Sequence, residues 1–141
     1  MAHRSFGVLV ALLVAPILAG CSVGASHSAA DGGVTELPGT SWNLVEIGGS
    51  VPAGDAKETL VFGADGSVHG NAGCNTFNGT VTIDGSTIGF GPLATTRMAC
   101  PEPAMSVESA YLAGLAGATT WRIDRSQLVL EGATELRFDP A

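Results

Sequence analysis

Beyond residue 39 the chain is a series of short runs in which apolar and polar residues alternate, separated by glycine. Alternation of this kind marks strands with one buried face, and Asp-Gly between two runs supplies a hairpin turn. The first run, residues 40–47, places Trp42, Leu44 and Glu46 on one face and Val45 and Ile47 on the other, with Trp42 as an early core anchor. Runs 58–63 and 67–70 flank Asp65-Gly66 and predict a hairpin. Runs 80–83 and 87–90 predict a second one around Asp84-Gly85, where Val81 and Ile83 alternate with threonine and aspartate.

The period then changes. Ala104, Val107, Tyr111, Leu115 and Ala118, with Leu112 beside them, recur near every 3.6 residues and predict one amphipathic helix. Pro101 and Pro103 suit a first helical turn whose amides lack partners, Glu102 complements the positive end of the helix dipole, and Gly117 is the expected stop. Runs 119–123, 127–131 and 134–138 return to strand patterning. The reading is an α+β fold: a curled, barrel-like antiparallel β-meander of about eight strands packed with a single α-helix.

The amino terminus follows another pattern. A short basic start, His3-Arg4, precedes an uncharged apolar run from Phe6 to Ala19 and then Leu18-Ala19-Gly20-Cys21. The organisation is that of a secretory signal, too short to span a bilayer, which takes roughly 20 apolar residues. Leu-Ala-Gly-Cys resembles the lipobox of bacterial lipoproteins. That resemblance implies cleavage before Cys21, a lipid on its sulfur, and a protein held at the cell membrane and facing away from the cytoplasm. Residues 1–20 are then a cleaved signal peptide, 21–38 the lipidated cysteine with a small, polar, flexible tether, and 39–141 the folded domain. The tether reaches roughly 20–25 Å.

Losing Arg4 with the signal leaves five basic residues against thirteen acidic, a net charge of −8. Such a surface is repelled by nucleic acid and anionic lipid, so no nucleic-acid role is expected and the membrane contact falls to the lipid on Cys21.

Within the folded part, Gly39-Thr40-Ser41-Trp42-Asn43-Leu44, Gly73-Cys74-Asn75-Thr76-Phe77-Asn78-Gly79 and Thr95-Thr96-Arg97-Met98-Ala99-Cys100 resemble the META domain, also called HslJ-like. The helix Glu108-Ser-Ala-Tyr-Leu-Ala-Gly-Leu115 and Leu128-Val-Leu130 fit the same pattern in order and spacing. The resemblance implies a curled antiparallel sheet with one helix, common on bacterial envelope lipoproteins. Some members are linked to heat-shock or antibiotic-tolerance phenotypes. It implies no catalytic mechanism.

Of the three cysteines, assigning Cys21 to lipid leaves Cys74 and Cys100 as an even pair in an oxidising compartment. A disulfide, two buried free thiols and a reactive Cys74 are the readings this leaves open. A cysteine nucleophile needs a neighbouring histidine, and the one histidine of the domain, His69, lies five residues before Cys74 on a predicted strand. No C-x-x-C or H-x-x-H spacing supports a metal site, no Gly-rich phosphate loop is present, and no cofactor is expected. Arg97 stands apart because cations are scarce. It either bonds an internal acid or loop carbonyls near the cysteines, or receives an anionic ligand or partner group.

The expectation is a monomeric, non-enzymatic, lipid-anchored interaction or stress-protection module, with an envelope protein as its partner. The competing expectation is a small-ligand binder or a hydrolase, which needs a pocket of roughly 300 Å³ or more. A curl filled by Trp42, Phe62, Phe77, Phe90 and Trp121 would exclude a ligand within it.

Overall fold

Half-buried strands expose an unpaired edge unless the sheet closes, and here it closes. A computed structural model describes residues 36–141. The expected signal peptide and Cys21 lie outside the described residues. The elements are β1 (Ser41–Ile47), β2 (Thr59–Phe62), β3 (Ser67–Asn71), β4 (Thr76–Asp84), β5 (Thr87–Phe90), β6 (Ala94–Thr95), α1 (Ala104–Ala116), β7 (Ala118–Asp124), β8 (Gln127–Gly132) and β9 (Leu136–Pro140). Strands neighbour one another in the order β3-β2-β1-β9-β8-β7-β5-β4, and β4 pairs again with β3, so eight antiparallel strands form a closed barrel. The short β6 follows β5 along the same side of β4, pairing Phe77 with Thr95 and Asn78 with Ala94.

Both Asp-Gly turns form where expected, with Gly66 at φ +81° and Gly85 at φ +56°. One seam is thin: β5 meets β7 through the single pair Thr87↔Thr120. Beside it the Trp121 indole N–H donates to the Gly85 carbonyl at 2.8 Å.

The barrel interior is a packed core. Trp42, Leu60, Phe62, Val68, Phe77, Ile88, Leu128, Leu130, Leu136 and Phe138 are buried, with Phe90 and Trp121 packed against them. Leu37, ahead of the first strand, is fully buried too. The helix closes the end of the barrel where Thr59, Asn71, Thr76 and Leu136 lie. Its Tyr111 reaches inward between Phe77 and Phe138, and Gly114 sits where a Cβ would meet Leu136 side-chain carbons at 2.8 Å.

Four expectations are corrected by the structure. Glu46 does not share a face with Trp42 and Leu44. A bulge between Leu44 and Glu46 sets the register to Leu44↔Phe138 and Glu46↔Arg137, which turns Glu46 outward and Ile47 onto the core. The buried helix face carries Glu108, whereas Ala118 begins β7. Gly117 does end the helix, but in right-handed geometry at φ −94°, with its N–H bonded to the Ala113 carbonyl. The strand expected at 134–138 runs Leu136–Pro140, and β4 starts at Thr76, four residues before the expected run.

On the outer face Val129 is fully buried although it points away from the core. It pairs with Arg122 on one side and Arg137 on the other, whose aliphatic stems shelter it. Arg122 bonds Glu131 at 2.9 Å and Asp124 at 3.3 Å; Arg137 bonds Glu135 at 2.8 Å, Asp124 at 3.4 Å and Glu46 at 3.6 Å. Hydrogen bonds from Arg122, then Arg137, hold the Asp124 carboxyl below its ordinary value.

Candidate functional site

The block around Cys74 becomes the hairpin between β3 and β4. Asn71 ends one strand, Thr76 begins the next, and the turn closes with the Ala72 N–H donating to the Asn75 carbonyl at 2.7 Å. Asn71 Oδ1 accepts the Gly73 N–H at 2.7 Å, the short-range bond that makes asparagine a turn residue. This hairpin sits at the helix-capped end of the barrel.

Cys74 and Cys100 are joined in a disulfide, with their Cα atoms 5.9 Å apart. The bridge ties the hairpin to the segment that leads into α1. Cys74 Sγ also lies 3.5 Å from the Met98 carbonyl oxygen, a contact rather than a hydrogen bond because the oxidised sulfur carries no proton. The thiolate that a nucleophile requires is thereby consumed. His69 occupies an exposed position on β3, paired with Val61 and Asn78.

Asn75 is the hub of the site. It is 3% exposed and uses every polar group it has. Its backbone N–H donates to Glu108 Oε2 at 2.7 Å, and its Nδ2 donates to Glu108 Oε1 at 2.9 Å and to the Met98 carbonyl at 3.1 Å. Its Oδ1 accepts the Met98 N–H at 2.7 Å and the Thr96 hydroxyl at 2.8 Å. A buried carboxylate is costly unless it is hydrogen-bonded, and the paired donors of Asn75 meet that requirement for Glu108 without a cation. Residues 96–98 thus run as an extra strand-like ledge pinned to the hairpin by asparagine, backbone and disulfide.

That clamp decides what the ledge presents. Arg97 lies between two pinned residues, is exposed, and forms no ion pair among the described residues. The internal acid considered for it is therefore not found there. Met98, although its backbone is held from both sides, is 59% exposed. It and Val51 are the exposed large hydrophobics among the described residues.

The sequence reading singled out Cys74, Cys100 and Arg97 and passed over Asn75, Glu108 and Glu58. The signals were available. Glu108 sits between Val107 and Tyr111 on the buried stripe of the helix, and Glu58 shares the parity of Leu60 and Phe62. Among the described residues no group of three His, Cys, Asp or Glu side chains is placed to hold a metal ion. Clefts at the other end of the barrel, about 310 Å³ and 420 Å³, are open depressions sharing Pro38 and Ile83.

Replacing Asn75 by alanine is expected to cost about 2–3 kcal/mol, since it strips two donors from buried acceptors and leaves Glu108 with one bond. Urea unfolding checks this. Asn75→Asp should fall further, because it sets a second carboxylate against Glu108. Equal stability of the three proteins would remove Asn75 as the hub.

Comparison with known proteins adds a family and a fold. The META domain model matches residues 35–140. An NMR structure of a protein from Burkholderia xenovorans is similar at 29% identity and a TM-score of 0.63, over 74% of this chain and 83% of that one. A second NMR structure is similar at 24% identity and a TM-score of 0.61, over 73% and 90%. The crystal structure of a DUF4847 family protein from Bacteroides vulgatus shares the fold at 19% identity and a TM-score of 0.52, over 73% and 93%. Among functionally curated proteins none matches the chain.

Proposed function

The chain belongs to the META domain family, and on that premise we propose that it is a lipid-anchored binding module of the cell envelope with no chemistry of its own. Lipid on Cys21 holds it at the membrane, facing away from the cytoplasm. Its task is recognition of an envelope partner in stress or antibiotic tolerance.

The observation that carries the reading is the ledge of Arg97 and Met98. A flexible chain presenting an arginine and a methionine would lose conformational entropy on docking, whereas one clamped by Asn75 and the disulfide has already lost it on folding. Arginine and methionine are also residue types enriched at protein interfaces. Arg97 suits a carboxylate on the partner, and that pairing gives an acidic protein a way to select an acidic target.

The interior supports binding at the surface rather than within the curl. Trp42, Phe62 and Phe77 are each no more than 2% exposed, which leaves the barrel centre filled. A photo-crosslinking side chain at position 98, in the native envelope, is expected to give a discrete adduct that Arg97→Glu abolishes. The same label at exposed Thr82 should give none. Identical adducts from both sites, or indifference to Arg97→Glu, would overturn the assignment of the patch.

A further inference from the structure

We propose that the open edge formed by β6 and the ledge after it takes up an extended segment of the partner as an added antiparallel strand. That segment sets a carboxylate opposite Arg97 and an apolar side chain beside Met98. This rests on the reading of the ledge as the binding patch and adds how the partner is held there: main-chain hydrogen bonds grip it, and side chains select it.

The backbone of the ledge bonds on one side only. Thr96 donates its N–H to the Thr76 carbonyl at 3.1 Å, and Met98 donates to Asn75 Oδ1 at 2.7 Å. The Met98 carbonyl accepts Asn75 Nδ2 at 3.1 Å, so the side-chain amide of Asn75 stands in for the next residue of a paired strand. Successive residues of an extended chain turn their N–H and C=O toward opposite edges. Those of Thr95 and Arg97 therefore face away from β4. Among the described residues nothing meets them there: β6 pairs with β4 alone, and no other backbone hydrogen bond reaches them. Residues 94–99 are all exposed, which gives an incoming chain access.

Elsewhere the barrel shuts its edges, because β3 and β4 pair to complete the ring. The open stretch is short, follows Pro92 and carries an arginine, features that keep an edge from recruiting strands indiscriminately. It is also held in place by Asn75 and the disulfide, so ordering it adds little cost on binding. Side chains then set the choice of occupant. Arg97 and Met98 fall on opposite faces by the alternation of an extended chain. The partner residue that exchanges hydrogen bonds with Arg97 has its side chain on the arginine's face, where a carboxylate pairs with it. The next partner residue lies on the methionine's face, where an apolar group fits. A second copy of this chain suits the edge less well, since residues 91–100 bring another arginine and no acid.

The test is NMR titration of the ¹⁵N-labelled full chain with the peptide acetyl-Val-Glu-Val-Glu-Val-amide, and with two forms N-methylated at the glutamates or at the inner valines. Saturable shifts centred on residues 94–98 are expected, with slower amide exchange at Thr95 and Arg97. In the proposed register the glutamate N–H groups face the edge, so methylating them should weaken binding about tenfold or more, and methylating the valines should not. Equal affinity of the two methylated peptides, a greater loss for the valine form, or shifts that do not saturate would overturn strand addition. So would a concentration-dependent dimer that protects Thr95 and Arg97 without peptide. If the methylated peptides bind equally but Arg97→Glu still abolishes the crosslink from position 98, the ledge remains the patch and only the strand mode fails. Indifference of that crosslink to Arg97→Glu removes the patch itself.

Discussion

Cutting the Cys74–Cys100 bridge, by reduction or by replacing both cysteines with alanine, is expected to lower stability by about 3–4 kcal/mol. The bridge spans 26 residues, and closing a loop of that length removes entropy from the unfolded chain in roughly that amount. A domain of this size has about 5–15 kcal/mol in all, so the loss is a large share. Urea unfolding of the oxidised and cysteine-free proteins measures it. The slope of free energy against urea should also rise when the bridge is absent, because an uncrosslinked unfolded chain exposes more surface. A midpoint unmoved by reduction would mean that the folded barrel does not depend on the staple.

The same comparison reveals how the ledge is held. Asn75 and the disulfide fasten one segment, residues 96–100, to one hairpin. Elements that share a task are not additive. Without the bridge, Asn75 and the Thr96–Thr76 backbone hydrogen bond at 3.1 Å are left to restrain Arg97 and Met98, so Asn75→Ala should cost more in the cysteine-free protein than in the oxidised one. Strict additivity would separate the two devices and weaken the account of the ledge as a single clamp.

Much of this architecture was legible in the sequence because strand alternation and Asp-Gly turns are local signals. Val81, Ile83, Ile88 and Phe90 declared their inner face through spacing alone, and the barrel followed from a meander with nowhere else to bury it. What escaped was non-local. The bulge at Val45 inserts one residue opposite Arg137, and nothing within residues 41–47 announces it; the partner strand β9 lies about ninety residues away in sequence. Glu108 was passed over because its donors belong to Asn75, thirty-three residues earlier. The two-residue β6 was too short to show any period, and it exists because Thr96 and Asn75 draw that segment onto β4. Arg97 was correctly marked as unusual in a chain short of cations. Whether it faced inward or outward depended on the clamp around it, which composition does not encode.

Tyr111→Ala is expected to be the most damaging single change, at about 4–5 kcal/mol, the upper part of the range for truncating a buried aromatic. Tyr111 is fully buried at the mouth of the barrel. Its ring meets Phe77 edge-on with centroids 5.9 Å apart and Phe138 at 6.1 Å. A hole there cannot collapse easily, since the ring's neighbours belong to β4 and β9, which are fixed by hydrogen-bonded partners on both sides. The phenol also anchors the helix to β2 through Thr59, so the change removes a hydrogen bond together with the packing. Tyr111→Phe separates the two contributions: it keeps the plug, drops the bond, and should cost about 1 kcal/mol. Because Glu108 lies on the same helix face, three residues before Tyr111, loosening the plug should also free the ledge. That would appear as faster amide exchange at Met98 in Tyr111→Ala but not in Tyr111→Phe. A cost below about 2 kcal/mol for the alanine variant, well under the range for a filled cavity, would mean that the helix rests on the barrel without sealing it.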